Sequence, residues 1–173
     1  MKSGLSKTTN LKEKFGFMEG GMEISQLQRH FVEQVSSMFS KGYLDGQFFQ
    51  LQKLQGDGGI DFYVELVSVF FQDSEKLINE MGIALDKQPV DFKEIGANAH
   101  QLKGSSASMG AKRVSKVCEA FCSLCKEMDK EGCLRCFDQL KHEFPFLKGK
   151  VEALLRLVQK IVASGGAVPV VEP

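Results

Sequence analysis

The chain lacks any net charge, since 22 Lys and Arg are matched by 22 Asp and Glu over 173 residues. Without a basic field, nothing calls for nucleic acid or an anionic membrane as a partner. No apolar run approaches the roughly 20 residues that span a bilayer. Residues 1–21 carry lysines, but neither the apolar stretch of a secretory signal nor the arginines of an organellar one. Strand signals are scarce, because the Val- and Ile-rich stretches follow helical spacing rather than alternation. Internal repeats, low-complexity tracts and a P-loop are missing as well. What remains is a soluble chain, 43% hydrophobic, long enough for one domain with a real core. Its five cysteines, an odd number without a secretion signal, point to reduced thiols in the cytoplasm or nucleus.

The dominant pattern is helical periodicity. "MKSGLSKTTNLKEKFGFMEGG" (1–21) sustains no period and reads as a flexible extension, with Met22 a candidate alternative start. Ile24, Leu27, Phe31, Val35 and Met38 then recur every three or four residues, which predicts a helix ending near Gly42. "LDGQFFQLQKLQ" predicts a short second helix capped by Asp45, and "GDGG" (56–59) a break. A third helix opens at Asp61 on a stripe of Phe62, Tyr63, Leu66, Val67, Phe70, Leu77, Ile78, Met81 and Leu85. Asp91 caps a fourth, which carries Phe92, Ile95, Ala99, Leu102 and Met109 and closes at Gly110. The fifth extends from about Ala111 to Lys130.

The sixth helix steps by four and three from Cys133 to Ile161, and Pro145 predicts a kink or short break near 141–145. Residues 165–173 read as a disordered tail. The sum is an all-α fold over 22–164. It is an antiparallel up-down-up-down four-helix bundle with two additional N-terminal helices packed on one end.

His100 stands apart from this core pattern. At 3.6 residues per turn it lies roughly 140° from the centre of the apolar arc of its helix. Its own face carries Lys93, Gly96, Lys103, Gly104 and Ala107. Glycine in a helix interior costs about 1 kcal/mol relative to alanine. Two of them on an exposed face suggest a low platform to which something must come close. The ordinary alternative is a solvated surface histidine. A neutral imidazole is a nucleophile near pH 7, and Lys103, three residues along, is placed to meet an anionic phosphoryl group. No carboxylate pair stands beside His100 to hold Mg²⁺, so the chain offers an acceptor without the apparatus to start phosphoryl transfer.

Two C-x-x-C pairs, Cys122/Cys125 and Cys133/Cys136, carry the spacing of a zinc site. Cys118 and Cys125 fall in the apolar stripe of the fifth helix, however, and Cys122 at its edge. We therefore expect buried small hydrophobes and no metal, with Cys136 the one candidate for an exposed, oxidisable thiol. His30 and His142 read as ordinary helix-surface residues, and "GSSAS" as a means of keeping the platform low.

"HQLKGSSASMGAKRV" closely resembles the phosphorylated motif of histidine-containing phosphotransfer (HPt) proteins. "GYLDGQFFQLQKLQ", "VSVFFQDSEKLINEM", "EGCLRC" and "RLVQKIVASGG" resemble the plant members that serve cytokinin-type signalling, over roughly Met22 to Gly166. The resemblance implies a four-helix bundle with extra N-terminal helices. It also implies His100 as phosphoacceptor, Lys103 as stabiliser of the phosphoryl group, and Gly104 as room for a docking partner. Many relatives place Gln or Arg where Cys122 stands, and a thiol is a weaker donor. The function expected is a phosphorelay shuttle and not an autonomous kinase. It would run between the receiver domain of a hybrid sensor histidine kinase and response regulators, with Mg²⁺ supplied by the partner receiver and no cofactor of its own. The expected form is a monomer that uses neither nucleic acid nor membrane, in cytoplasm and nucleus. The alternatives are a helical adaptor that docks receivers without transfer, and a zinc-binding helical module.

Overall fold

The computed structural model of the chain describes residues 23–173, without the side chains of 55–58. Helix α1 (Ile24–Ser40) starts at a capping box, in which the Glu23 N–H donates to the Gln26 side chain at 3.0 Å. It buries Leu27, Phe31, Val35 and Met38, four of the five predicted stripe positions, against α5 (Lys130–Ala163). Gly42 ends the turn at a φ of 76°.

Helix α2 (Gly46–Asp86) begins where Asp45 accepts from the Gln47 N–H at 2.9 Å, the cap expected there. The predicted break is confined to one residue, Gly59 (φ 78°, ψ 169°), with helix on either side. Phe62, placed in the core stripe from the sequence, is instead 52% exposed, while Tyr63, Val67, Phe70, Phe71 and Leu77 are buried. Helix α3 (Phe92–Ser108) is capped by Asp91, which accepts from the Glu94 N–H at 3.1 Å. It buries Ile95, Ala99, Leu102 and Ser106.

Gly110 (φ 72°) closes α3 against the connection between α1 and α2. A side chain there would meet the Phe48 Cβ at 2.8 Å, so only glycine allows both the left-handed backbone and the close approach. The Asp45 N–H donates to the Gly110 carbonyl at 3.0 Å, and the Lys112 N–H to the Tyr43 carbonyl at 3.2 Å.

Helix α4 (Lys112–Lys126) ends short of the expected Lys130, because Met128 adopts a φ of 54° and Asp129 caps α5 by accepting from the Gly132 N–H at 2.9 Å. Helix α5 buries Cys133, Cys136, Leu140, Phe144, Leu147, Val151, Leu154, Val158 and Ile161 on one continuous stripe. It is helical throughout Pro145, so no break forms near 141–145. The main body of α2 with α3, α4 and α5 makes the four-helix bundle, in which α3 packs on α2 and α4, and α4 on α5. Among the described residues every regular element is helical.

The tail departs from expectation. Residues after Ser164 are irregular but docked: Val171 is buried, and its N–H and carbonyl pair with both ends of the Gln52 amide at 3.1 Å each. Gln28 donates to the Ala167 carbonyl at 2.7 Å. The expected disordered tail over 165–173 is therefore a strap across α1 and α2. Residues 1–21 and Met22 lie outside the described residues.

Candidate functional site

The core-facing side of α3 fixes where His100 points. Ala99 and Leu102 are fully buried, so His100, one residue after Ala99 and two before Leu102, is turned outward and is exposed. Lys103 stands three residues on and is half-buried, its carbonyl facing the Ser115 hydroxyl of α4 at 3.4 Å. Lys93, Gly104 and Ala107 are exposed as the wheel requires. A Cβ added at Gly104 would meet nothing within 4 Å, so no packing demand of the fold explains that glycine. Gly96 differs: it is half-buried, and its Cβ would lie 3.3 Å from the Cys125 Cβ of α4. Its small size serves the α3–α4 contact, a reason that the face reading alone did not contain.

Between α3 and α4 runs an open groove of ≈ 730 Å³ that His100, Lys93 and Lys103 line together with Cys122 and Lys126 of α4. Ion pairs among the described residues join Arg113 to Glu143 and Lys148 to Glu75 and Glu152, so the three groove lysines stand outside them. Against these ammonium groups the groove sets one carboxylate, Glu119. The local field thus favours an anion beside the imidazole. Sequence reasoning missed Lys126, although its place four residues after Cys122 puts both on one face of α4.

Cys122 of α4 faces the same groove. Its thiol is half-buried and donates to the Gly96 carbonyl across 3.9 Å, a weak contact. Burial raises its pKa, with Lys103 and Lys126 acting in the opposite direction. The serines beside His100 face their own helix: Ser105 donates to the Leu102 carbonyl at 3.2 Å and Ser108 to the Gly104 carbonyl at 3.1 Å. The hydroxyls of Ser105 and Ser108 are committed to the backbone rather than spread as a phosphate cradle, and Ser106 is buried on the core side of α3.

The C-x-x-C pairs do not converge on a metal. Among the described residues no group of three or more His, Cys, Asp or Glu is arranged to hold one. Cys118, Cys125, Cys133 and Cys136 are all buried, which corrects the expectation of an exposed thiol at Cys136. That residue lies on the buried stripe of α5 and is 9% exposed. His142 turns back on its own helix, its Nδ1 2.7 Å from the Asp138 carbonyl. The larger groove, ≈ 870 Å³ between α2 and α5, contains no histidine or cysteine. None of the described helices is long and apolar enough to cross a membrane.

A bundle that presents one imidazole on a low helix face, in a lysine-edged groove, has the form of a histidine phosphotransfer module. The Hpt domain model matches residues 65–158. Histidine-containing phosphotransfer protein 1 of Arabidopsis thaliana is 45% identical over 151 residues, 87% of this chain and 98% of that protein. The crystal structure of the phosphotransfer protein MtHPt2 from Medicago truncatula superposes with a TM-score of 0.77 at 49% identity, covering 82% of this chain and 96% of that one. A pseudo histidine-containing phosphotransfer protein 6 of Arabidopsis thaliana is also similar, 38% identical over 84% of this chain and 96% of its own length. The chain belongs to the histidine-containing phosphotransfer family.

Proposed function

We propose that this protein is a phosphorelay shuttle in which His100 carries the phosphoryl group. Family membership alone leaves the point open, since the matches include a pseudo phosphotransfer protein. The observation that carries the reading is the exposed imidazole at position 100 in a groove edged by Lys93, Lys103 and Lys126. The lone pair of the unprotonated ring nitrogen attacks the phosphorus of an aspartyl phosphate. The P–N bond forms as the P–O bond to the aspartate breaks, and the carboxylate leaves. The same exchange in reverse, on a second aspartate, completes the shuttle. Lys103 balances charge on the phosphoryl oxygens in both directions.

The donor in this reading is the receiver domain of a hybrid sensor histidine kinase, and the acceptors are response regulators of a cytokinin-type pathway. Each receiver supplies Mg²⁺ and its acidic pocket, and this chain supplies neither nucleotide site nor cofactor. It works as a monomer, in cytoplasm and nucleus. Gly104 and Ala107 keep the face low for the approaching receiver, with Lys93 and Gly96 at its edge. The test is incubation with a phosphorylated receiver domain and mapping of the label. Acid-labile, base-stable phosphate on His100 is expected, and label on His30 or His142 would refute the assignment.

One observation favours a second reading, a receiver-docking adaptor that does not transfer. The Cys122 thiol beside the site is a weak donor, and its contact to the Gly96 carbonyl is long. Receiver binding without label on His100 would decide for that reading.

A further inference from the structure

Two cysteines meet behind the wall of the His100 groove: the sulfurs of Cys125 and Cys133 lie 3.8 Å apart in the core, eight positions apart in sequence. They face each other across the turn made by the left-handed Met128, one on the last turn of α4 and the other on the first of α5. A disulfide would close that gap to roughly 2.05 Å.

The two thiols differ in access. Cys125 lines the groove that holds His100, whereas Cys133 is 0% exposed and does not reach it. We propose that Cys125 and Cys133 form an oxidisable dithiol, in which a peroxide entering through the His100 groove converts the pair to a disulfide. The asymmetry fixes the order of events. The Cys125 sulfur attacks the peroxide O–O bond, takes one oxygen as a sulfenic acid, and the second oxygen leaves as water or hydroxide. The Cys133 sulfur then attacks the Cys125 sulfur, the S–S bond forms, the S–O bond breaks, and a second water departs. The dithiol loses two electrons and two protons, and the peroxide is reduced by the same two electrons.

Burial pushes the Cys125 thiol up to about 12 and the Cys133 thiol in the same direction, so thiolate is scarce at neutral pH. Such a pair answers sustained oxidant rather than resting peroxide. Cys125 is also the residue against which Gly96 of the acceptor helix packs, so the bond would form in the wall of the His100 groove. None of this depends on the phosphorelay reading.

The test exposes the whole chain to hydrogen peroxide, alkylates the remaining thiols, and maps peptides by mass spectrometry before and after dithiothreitol. The expected first disulfide is Cys125–Cys133, lost on reduction. Cys133→Ala should stop at a sulfenic acid on Cys125, captured by a cyclic diketone, and Cys125→Ala should leave Cys133 a free thiol. A first disulfide that includes Cys118, Cys122 or Cys136 would overturn the proposal. So would a chain in which Cys122 advances to sulfinic acid while Cys125 and Cys133 stay reduced. The wild-type map decides the matter by itself, whatever the folding of either variant.

Discussion

Gly104 offers the sharpest separation of fold from function. Its Cβ direction is open, with no atom within 4 Å, and the residue is exposed in the interior of α3. Gly104→Gln therefore creates no internal clash, and it replaces a poor helix former by a good one, a gain of up to about 1 kcal/mol. For a chain of this length that corresponds to a rise in melting temperature of roughly 2–4 °C. The same side chain stands one turn from His100, about 5–6 Å away between Cβ atoms, where an incoming aspartate must pass. Docking should weaken at least tenfold, about 1.4 kcal/mol, by exclusion and not by loss of any contact. One variant supplies three readouts: melting by circular dichroism, receiver affinity by calorimetry, and the rate of phosphate transfer. A more stable protein that docks and transfers poorly is the expected outcome. If binding and transfer match wild type, the glycine does not keep the face clear. If stability falls, the open geometry described at that position is wrong.

Other perturbations test separate parts of the molecule. His100→Gln should abolish phosphate uptake while stability changes by no more than about 0.5 kcal/mol, as for other exposed positions; label persisting on another histidine would refute the acceptor. Lys103→Ala should slow transfer or shorten the lifetime of the phosphohistidine without abolishing label, because the receiver brings most of the countercharge; unchanged kinetics would reduce Lys103 to a solvated cation. Gln52→Ala removes both hydrogen bonds to Val171 and should cost about 1–3 kcal/mol, with faster amide exchange at Val171; an unchanged melting point would mean the strap contributes nothing. Protein purified without chelator should carry no stoichiometric zinc, and one tightly held zinc per chain by elemental analysis would contradict the reading of the cysteines as buried apolar residues.

What was legible in the sequence was whatever a single helix encodes locally. The α5 stripe, the Asp45 and Asp91 caps and the outward turn of His100 all follow from spacing within a few residues. What failed depended on partners distant in the chain. Nothing near Val171 announces burial, because its seat is Gln52, 119 positions away. Phe62 fits a helical stripe, but the buried face of α2 is centred on Tyr63 and Val67 and leaves Phe62 in solvent. Gly96 looked like part of an open face until α4 brought Cys125 against it. The groove itself was only half visible, since α3 supplies one wall and α4 contributes Lys126 and Cys122 to the other.

The seam at Gly110 bears on how large the cooperative unit is. The family model matches 65–158, yet α3 is closed by Asp45, Tyr43 and Phe48, all upstream of that span. A fragment cut at its limits would remove the Asp45 N–H and the Tyr43 carbonyl, leave the Gly110 carbonyl and the Lys112 N–H only their contact with each other at 3.0 Å, and bare the apolar seat of Leu44 and Phe48. The end of α3, two turns beyond His100, would then fray on the timescale of local opening. The segment that precedes the bundle thus acts as a brace for the end of α3. A substitution at Asp45 or Phe48, far from any phosphate, can loosen the scaffold on which the imidazole is held.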